Sequence, residues 1–197
     1  MSSQAAAACG VVLLSSLAIW LFVATRRTSS EIGRNAYGFG GNLRQRATQI
    51  LFRVSTVVVV VALFLHALDP AIAAVVPMIE IDPTIRILLL MFASAGAALT
   101  LFARSEMGRR WRIGVPGEAP DGLVTQGLFA YSRNPVFVGM IAVALGLATA
   151  VPSPSALLAA AAFVFACNMQ VTDEERFLAA AFGDEYDSYR AAVRRWV

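Results

Sequence analysis

Apolar residues fall in five blocks along the chain, at about residues 4–24, 50–68, 84–103, 135–151 and 155–171, with polar stretches between them. Each block is hydrophobic all round rather than on one stripe, the pattern of a helix surrounded by lipid. The second block holds the β-branched run Val57 to Val61, which suits a lipid-facing helix. The third carries Gly96 among alanines, a small-residue face that permits close helix contact. Only Pro152-Ser153-Pro154 separates the fourth and fifth blocks, which predicts a tight helical hairpin. At 1.5 Å per residue each of its arms is about 25 Å long, slightly short for a typical hydrocarbon core.

Beyond the fifth block the pattern changes without a helix breaker. Asn168, Gln170, Thr172, Asp173, Glu174 and Glu175 appear with no Pro or Gly among them, so the helix is expected to continue out of the membrane. Asn168, Thr172 and Glu175 fall on one face, and Cys167, Val171, Glu174 and Leu178 on the next. Phe177, Leu178, Ala181, Phe182, Tyr186, Tyr189 and Val193 then form an apolar stripe. It is interrupted at Gly183, with Asp184 as the next N-cap, and predicts an amphipathic lid on the membrane face. The expected fold is all-α: a polytopic membrane protein of about five transmembrane helices, with a tight C-terminal hairpin and cytoplasmic amphipathic C-terminal helices.

Composition agrees, since 58% of the 197 residues are hydrophobic and 15% charged, with a mean hydropathy of +0.66. A free-standing soluble domain of this size would not carry that excess. Met1-Ser2-Ser3 lacks the positive region of a cleavable signal, so the first block reads as a retained span. Cys9 and Cys167 each sit in an apolar run, with neither metal-ligand spacing nor a disulfide framework.

All sixteen basic residues are arginine, giving a net charge of +3. No basic stripe with interleaved aromatics is present, which argues against nucleic acid as a partner. Fourteen of the sixteen lie in the connections after the first and third spans and in the C-terminal tail. The positive-inside rule then places the N-terminus outside and the C-terminus in the cytoplasm. Trp20, Trp111 and Trp196 read as interfacial anchors, with Trp111 a second candidate for a pocket wall, and His66 reads as an interfacial polar residue.

Candidate chemistry concentrates on that cytoplasmic side. Residues 122–135 are too rich in turn formers for a helix and too apolar for a free loop. Asn134-Pro135 reads as an N-cap and first helical position for the fourth span. Arg133 beside that helix N-terminus is suited to a carboxylate or phosphate, or alternatively anchors the span at the headgroups. The tight hairpin returns Glu174 and Glu175 to the depth of Arg133, where a salt bridge or an anion and cation site are both open readings.

Several pieces taken in order resolve these alternatives: Gly108-Arg109-Arg110-Trp111-Arg112, then Gly127-Leu128-Phe129, Ser132-Arg133-Asn134-Pro135, Phe137 and Gly139, then Glu174-Glu175, Leu178, Phe182-Gly183, Tyr186 and Tyr189, and finally Arg194-Arg195. From residue 108 to 197 the chain resembles the isoprenylcysteine carboxyl methyltransferase and phospholipid methyltransferase superfamily of integral membrane enzymes. The first half matches only in being a set of spans. The expected division is residues 1–103 as three spans with a cytoplasmic loop, and 104–197 as the catalytic region.

The resemblance implies S-adenosylmethionine as methyl donor, leaving as S-adenosylhomocysteine, with Arg133, Glu174 and Glu175 as catalytic residues. It places the donor site at Gln126, Gly127, Tyr131, Arg133, Asn134, Pro135, Gly139, Asn168, Glu174 and Glu175, with no metal. Asn134 stands where the family's tripeptide has histidine, a feature of bacterial-type members that points to a bacterial inner membrane. Asn donates a hydrogen bond but cannot act as a titratable base. Phe137 stands where Tyr is frequent, so no hydroxyl is offered there. The acceptor is expected to be a lipophilic molecule from the bilayer, either an isoprenoid carboxylate or a phospholipid head group. The alternative is a non-catalytic membrane scaffold or assembly component. The oligomeric state stays open.

Overall fold

The computed structural model describes residues 1–33, 36–38, 42–69, 79–114 and 122–197, with Tyr37 and Gly38 through their backbone alone. Arg34, one of the arginines counted for topology, lies outside the described residues. The helices are α1 (Ser3–Ile32), α2 (Leu43–Leu68), α3 (Pro83–Met107), α4 (Pro135–Ala150), α5 (Pro154–Phe182) and α6 (Asp184–Ala192). Single 3₁₀ turns lie at Gly108–Arg110 and Gly127–Ala130. By length and apolarity α1, α2, α3 and α5 can each cross a membrane. The fifth apolar segment, α4, has 16 residues, about 24 Å of rise.

Local chemistry fixes where these helices start. Ser2, Asn42 and Ser153 accept from the backbone N–H three residues on, and Asp82 accepts from Thr84 and Ile85. Proline opens α3, α4 and α5, where its missing N–H leaves no orphan. Both α1 and α2 run past their apolar blocks, α1 through Arg26 and Arg27 to Ile32, where Gly33 closes it at φ +69°. The sequence expectation ended α1 too early and started α2 too late, at about residue 50 and not Leu43, because polar residues with good helix propensity continue a helix without any hydrophobic signal. The last helix begins at Asp184 with Gly183 as its N-cap position, one residue earlier than expected.

The tightest packing joins α3 to α4. A Cβ on Gly96 would lie 2.7 Å from both Ala142 Cβ and the Gly139 carbonyl, and one on Gly146 would lie 2.8 Å from Ala93 Cβ. Glycine here is a condition of the close approach. Helix α2 packs on α5 and α1 on α2, so α4 sits inside the bundle with α3 behind it. The central core is Ala6, Leu17, Val59, Leu63, Ala93, Val143 and Leu147. A second cluster of Ala103, Trp111, Phe129 and Val136 closes the opposite end of α4. One feature had no sequence signal: a two-residue parallel ladder pairs Tyr37 with Ile113 and Gly38 with Gly114.

Candidate active site

Three consecutive acids at the end of α5 reach three different environments, because each step along a helix turns the side chain by about 100°. Asp173 accepts from Arg44 Nε at 2.9 and 3.1 Å and ties α5 to α2. Glu174 accepts from Gln170 Nε2 at 2.7 Å. Glu175 takes Arg133 Nε at 3.1 Å and Nη2 at 2.9 Å on one oxygen, and Arg195 on the other. The Arg133 and Glu175 side chains are 9% and 10% exposed, so this is a largely desolvated ion pair.

Arg133 does more than pair with Glu175. Its Nη1 donates to the carbonyls of Arg190 and Val193, which end α6, so four of the five guanidinium N–H groups are engaged inside the protein. The surrounding backbone repeats the attachment: Arg133 N–H donates to the Arg194 carbonyl, and Ser132 Oγ and Asn134 Nδ2 both reach the Arg195 carbonyl. Tyr189 donates from its hydroxyl to the Phe129 carbonyl at 2.7 Å. The C-terminal residues are therefore strapped across the start of α4. The expectation that Asn134 caps α4 with its side chain is corrected: its φ of −134° and ψ of 49° come with no cap bond, because the amide is turned to Arg195.

Beside this strap lies a cavity of about 440 Å³ walled by α2, α4, α5, α6 and the segments around residues 107–114 and 122–129. That size is within the usual range for small-molecule sites, roughly 300–1,000 Å³. Its polar wall includes Glu174, Glu175, Gln170, Arg133 and Asn134, together with Arg53, Arg110 and Arg112. Phe52, Phe137 and Phe163 supply aromatic surface, with Phe52 and Phe163 edge to face at 5.2 Å between centroids. Among the described residues, two buried polar atoms on the lining have no hydrogen-bond partner, Gln170 Oε1 and the Tyr186 hydroxyl. Burial, and after it the neighbouring Glu175 carboxylate, push the Tyr186 phenol up to about 12. Burial, and after it Tyr186, do the same to Tyr189.

Arg133, Asn134, Glu174 and Glu175 thus line one cavity, as the spacing suggested. The other expected donor-site residues do not line it. Gln126 is exposed at the start of a 3₁₀ turn, and the Tyr131 side chain is 77% exposed. Gly127 sits at φ +61° against the Glu106 carboxylate, which accepts from Leu128 N–H. Pro135 opens α4. Gly139 is a contact of α4 with Gly96 and Thr100 on α3, and Asn168 is exposed, its amide donating to the Val164 carbonyl one turn back. Asn168 shares a helical face with Glu175, but its amide is turned back along α5 to Val164 and does not reach the cavity.

Gln170, Tyr186, Tyr189 and the α2 residues Gln49, Arg53 and Thr56 also line the cavity and were not among the expected site residues, although Tyr186 and Tyr189 belong to the stripe and to the resemblance. A helical step of four from Gln170 to Glu174 was the available signal for the first; nothing in the sequence places α2 here. Trp111 is a pocket wall and not an interfacial anchor: it is 5% exposed and donates from Nε1 to Thr25 Oγ1 at 2.8 Å. His66 is likewise buried, with Nδ1 at 3.1 Å from the Ala62 carbonyl.

Residues 85–185 match the phospholipid methyltransferase family. The chain belongs to that family. The matched region begins at α3 and ends just inside α6, so it contains Arg133, Glu174 and Glu175 and stops short of the strap. A protein-S-isoprenylcysteine O-methyltransferase of Schizosaccharomyces pombe is 38% identical over 72 residues, which is 36% of this chain and 30% of that relative. The aligned stretch spans about a third of that relative's length, and the family match falls in a chain with four helices, among the described residues, long and apolar enough to cross a membrane.

Proposed function

We propose that the protein transfers a methyl group from S-adenosylmethionine to a lipophilic acceptor at the cytoplasmic face of the membrane. The observation that carries this reading is the division of labour between the adjacent glutamates. Glu175 is neutralised by two arginines and holds the wall together, whereas Glu174 presents a carboxylate on the cavity wall with one amide partner. The residues fit the donor. A carboxylate suits its sulfonium and ammonium, the unpartnered Gln170 Oε1 accepts from an N–H, and the aromatic walls suit an adenine ring.

S-adenosylmethionine, when bound, supplies an electrophilic methyl on a positively charged sulfur. The chain's residues then have four tasks. Glu174 balances positive charge and is oriented by Gln170. The Arg133, Glu175 and Arg195 network fixes the C-terminal wall. Arg53, Arg110 and Arg112, also on the lining, supply positive charge for an anionic group, a task the sequence reading gave to Arg133. The apolar walls exclude water, and holding two reactants in line contributes about 7–11 kcal/mol against the barrier. A carboxylate acceptor needs no base, while an amine acceptor needs one, and Glu174 is the candidate with an open side.

The arginine distribution supports a cytoplasmic site with the N-terminus outside; the family resemblance, with Asn134 in the tripeptide, is what favours a bacterial inner membrane and residues 104–197 as the catalytic region. Incubation of the purified, folded protein with labelled donor and a membrane lipid extract is expected to yield labelled lipid-soluble product. Absence of both product and donor binding would overturn the reading.

A further inference from the structure

The match to the family begins at residue 85, so α1 and α2 lie before it. Yet the C-terminal end of α1 is joined to the cavity wall by a buried hydrogen bond. Thr25, 0% exposed, accepts from Trp111 Nε1 at 2.8 Å, and Trp111 lines the cavity. The Thr25 proton is already committed, since the hydroxyl donates to the Leu21 carbonyl at 2.7 Å. With that proton on its own helix, the oxygen is left as a fixed acceptor, and the indole N–H is a donor only. Thr25 itself is not among the residues lining the cavity, so whatever it does for a bound molecule it does through Trp111.

The same helix end holds the segment that follows Trp111. Ser29 Oγ donates to the Thr25 carbonyl and accepts from Ala36 N–H, both at 3.0 Å, and the Ala36 carbonyl accepts from Ile113 N–H at 2.9 Å. Residue 111 is thus fixed by its side chain and residue 113 by its backbone, with Arg112, another lining residue, between two held neighbours. Arg104 adds a further tie. Its Nη2 donates to the Ala24 carbonyl at 2.9 Å and to Thr28 Oγ1 at 2.7 Å, and its guanidinium lies over the Trp111 ring at 5.8 Å from the centroid. A buried N–H without an acceptor is costly, so the Thr25 oxygen decides how the indole is turned.

We propose that Thr25 is a positioning residue for the cavity: its hydroxyl oxygen sets the orientation of the Trp111 indole, and with it the affinity for the donor whose pocket that ring walls. This role rests on the methyltransferase reading and extends it to α1, outside the matched region. Thr25→Val keeps the shape of the side chain and removes the acceptor, so the indole N–H turns toward another partner. Thr25→Ser keeps the acceptor and removes only a methyl group. A threonine that served packing alone would respond in the opposite order. Trp111→Phe removes the N–H that needs the acceptor, and with it the need for the Thr25 hydroxyl.

The test is a double-mutant cycle on full-length protein in nanodiscs. S-adenosylhomocysteine is titrated calorimetrically into wild type, Thr25→Val, Trp111→Phe and the double variant, with Thr25→Ser alongside, and thermal unfolding shows that each is folded at the titration temperature. Thr25→Val is expected to weaken binding about fivefold or more, the scale of one misplaced buried hydrogen bond, and Thr25→Ser by no more than about twofold. Added to Trp111→Phe, the valine is expected to change affinity by no more than about twofold, because the two residues act through one contact. If Thr25→Val does not fold, Thr25→Ala takes its place in the cycle. A second readout does not depend on affinity: with Trp20→Phe and Trp196→Phe, Trp111 is the sole tryptophan, and its emission is expected to shift in Thr25→Val and not in Thr25→Ser. Wild-type affinity in folded Thr25→Val, a loss in Thr25→Ser as large as in Thr25→Val, additive effects of the two substitutions, or an unshifted Trp111 emission in Thr25→Val would each overturn the role of Thr25 alone. Folded wild type that binds no S-adenosylhomocysteine would bring down the methyltransferase reading and the role of Thr25 with it.

Discussion

The ion pair between Arg133 and Glu175 is the most exacting element of the site, and a double-mutant cycle measures it. With side chains 9% and 10% exposed and contacts of 2.9 and 3.1 Å, removing one partner leaves a desolvated charge, which costs about 3–5 kcal/mol. Glu175→Ala leaves Arg133 buried with only the Arg190 and Val193 carbonyls. Arg133→Ala leaves Glu175 with Arg195, itself 40% exposed, and also frees those two carbonyls at the end of α6. At roughly 2–4 °C per kcal/mol for a protein of this size, each single change should lower the melting temperature by roughly 6–20 °C. The double variant should melt close to Arg133→Ala alone, because the second removal takes away a group that has already lost its partner. The assay is thermal unfolding of the four proteins in one detergent and lipid mixture. Additive losses, with each single change below about 1 kcal/mol, would mean an exposed pair of little consequence and would refute the picture of a strapped, desolvated wall.

Further outcomes follow from particular contacts. Arg133→Lys should destabilise nearly as much as Arg133→Ala, since a single ammonium cannot serve Glu175 and two carbonyls together; the same melts check this. Tyr186 and Tyr189 ionise near 12 in the fold against about 10 in the unfolded chain, so between those values the unfolded chain holds fewer protons. Stability should be undiminished below pH 10 and fall as pH rises toward 12, and replacing both by Phe should flatten a pH series of melts over that interval. Gly139→Ala should lower stability by about 1–3 kcal/mol by forcing α4 from α3, because its Cβ would meet Thr100 and the Gly96 carbonyl. Once folded at lower temperature, that variant should bind donor normally in a calorimetric titration.

The spans, the hairpin and the small-residue face at Gly96 were legible because each is written in hydrophobicity, proline or residue size. So was the meeting of Arg133 with the glutamates, since a three-residue connection forces the end of α5 back to the start of α4. What escaped follows a common physical cause. The strap is held largely by carbonyls of residues 190–195, and a carbonyl acceptor is the same for every residue type. The roles of Glu174 and Glu175 differ by one helical step, which a face assignment resolves only when the neighbouring helices are known. Asn168 and Gln170 were equivalent polar residues in the sequence, and only the packing of α2 on α5 decides that Gln170 lines the cavity and Asn168 does not. Gly139 carried the family resemblance, yet here it serves the contact between helices.

The central claim is that Glu174 meets the positive charge of the donor on a wall held by Arg133 and Glu175. Its most direct test is calorimetric titration of wild type and Glu174→Gln with S-adenosylmethionine and with S-adenosylhomocysteine, which lacks the charge on sulfur. Wild type should bind both, and the substitution should weaken S-adenosylmethionine by about tenfold or more while weakening S-adenosylhomocysteine less, since a charge-assisted contact is worth roughly 1.5–3 kcal/mol. Equal affinities in the two proteins, or no binding by folded wild type, would contradict the account.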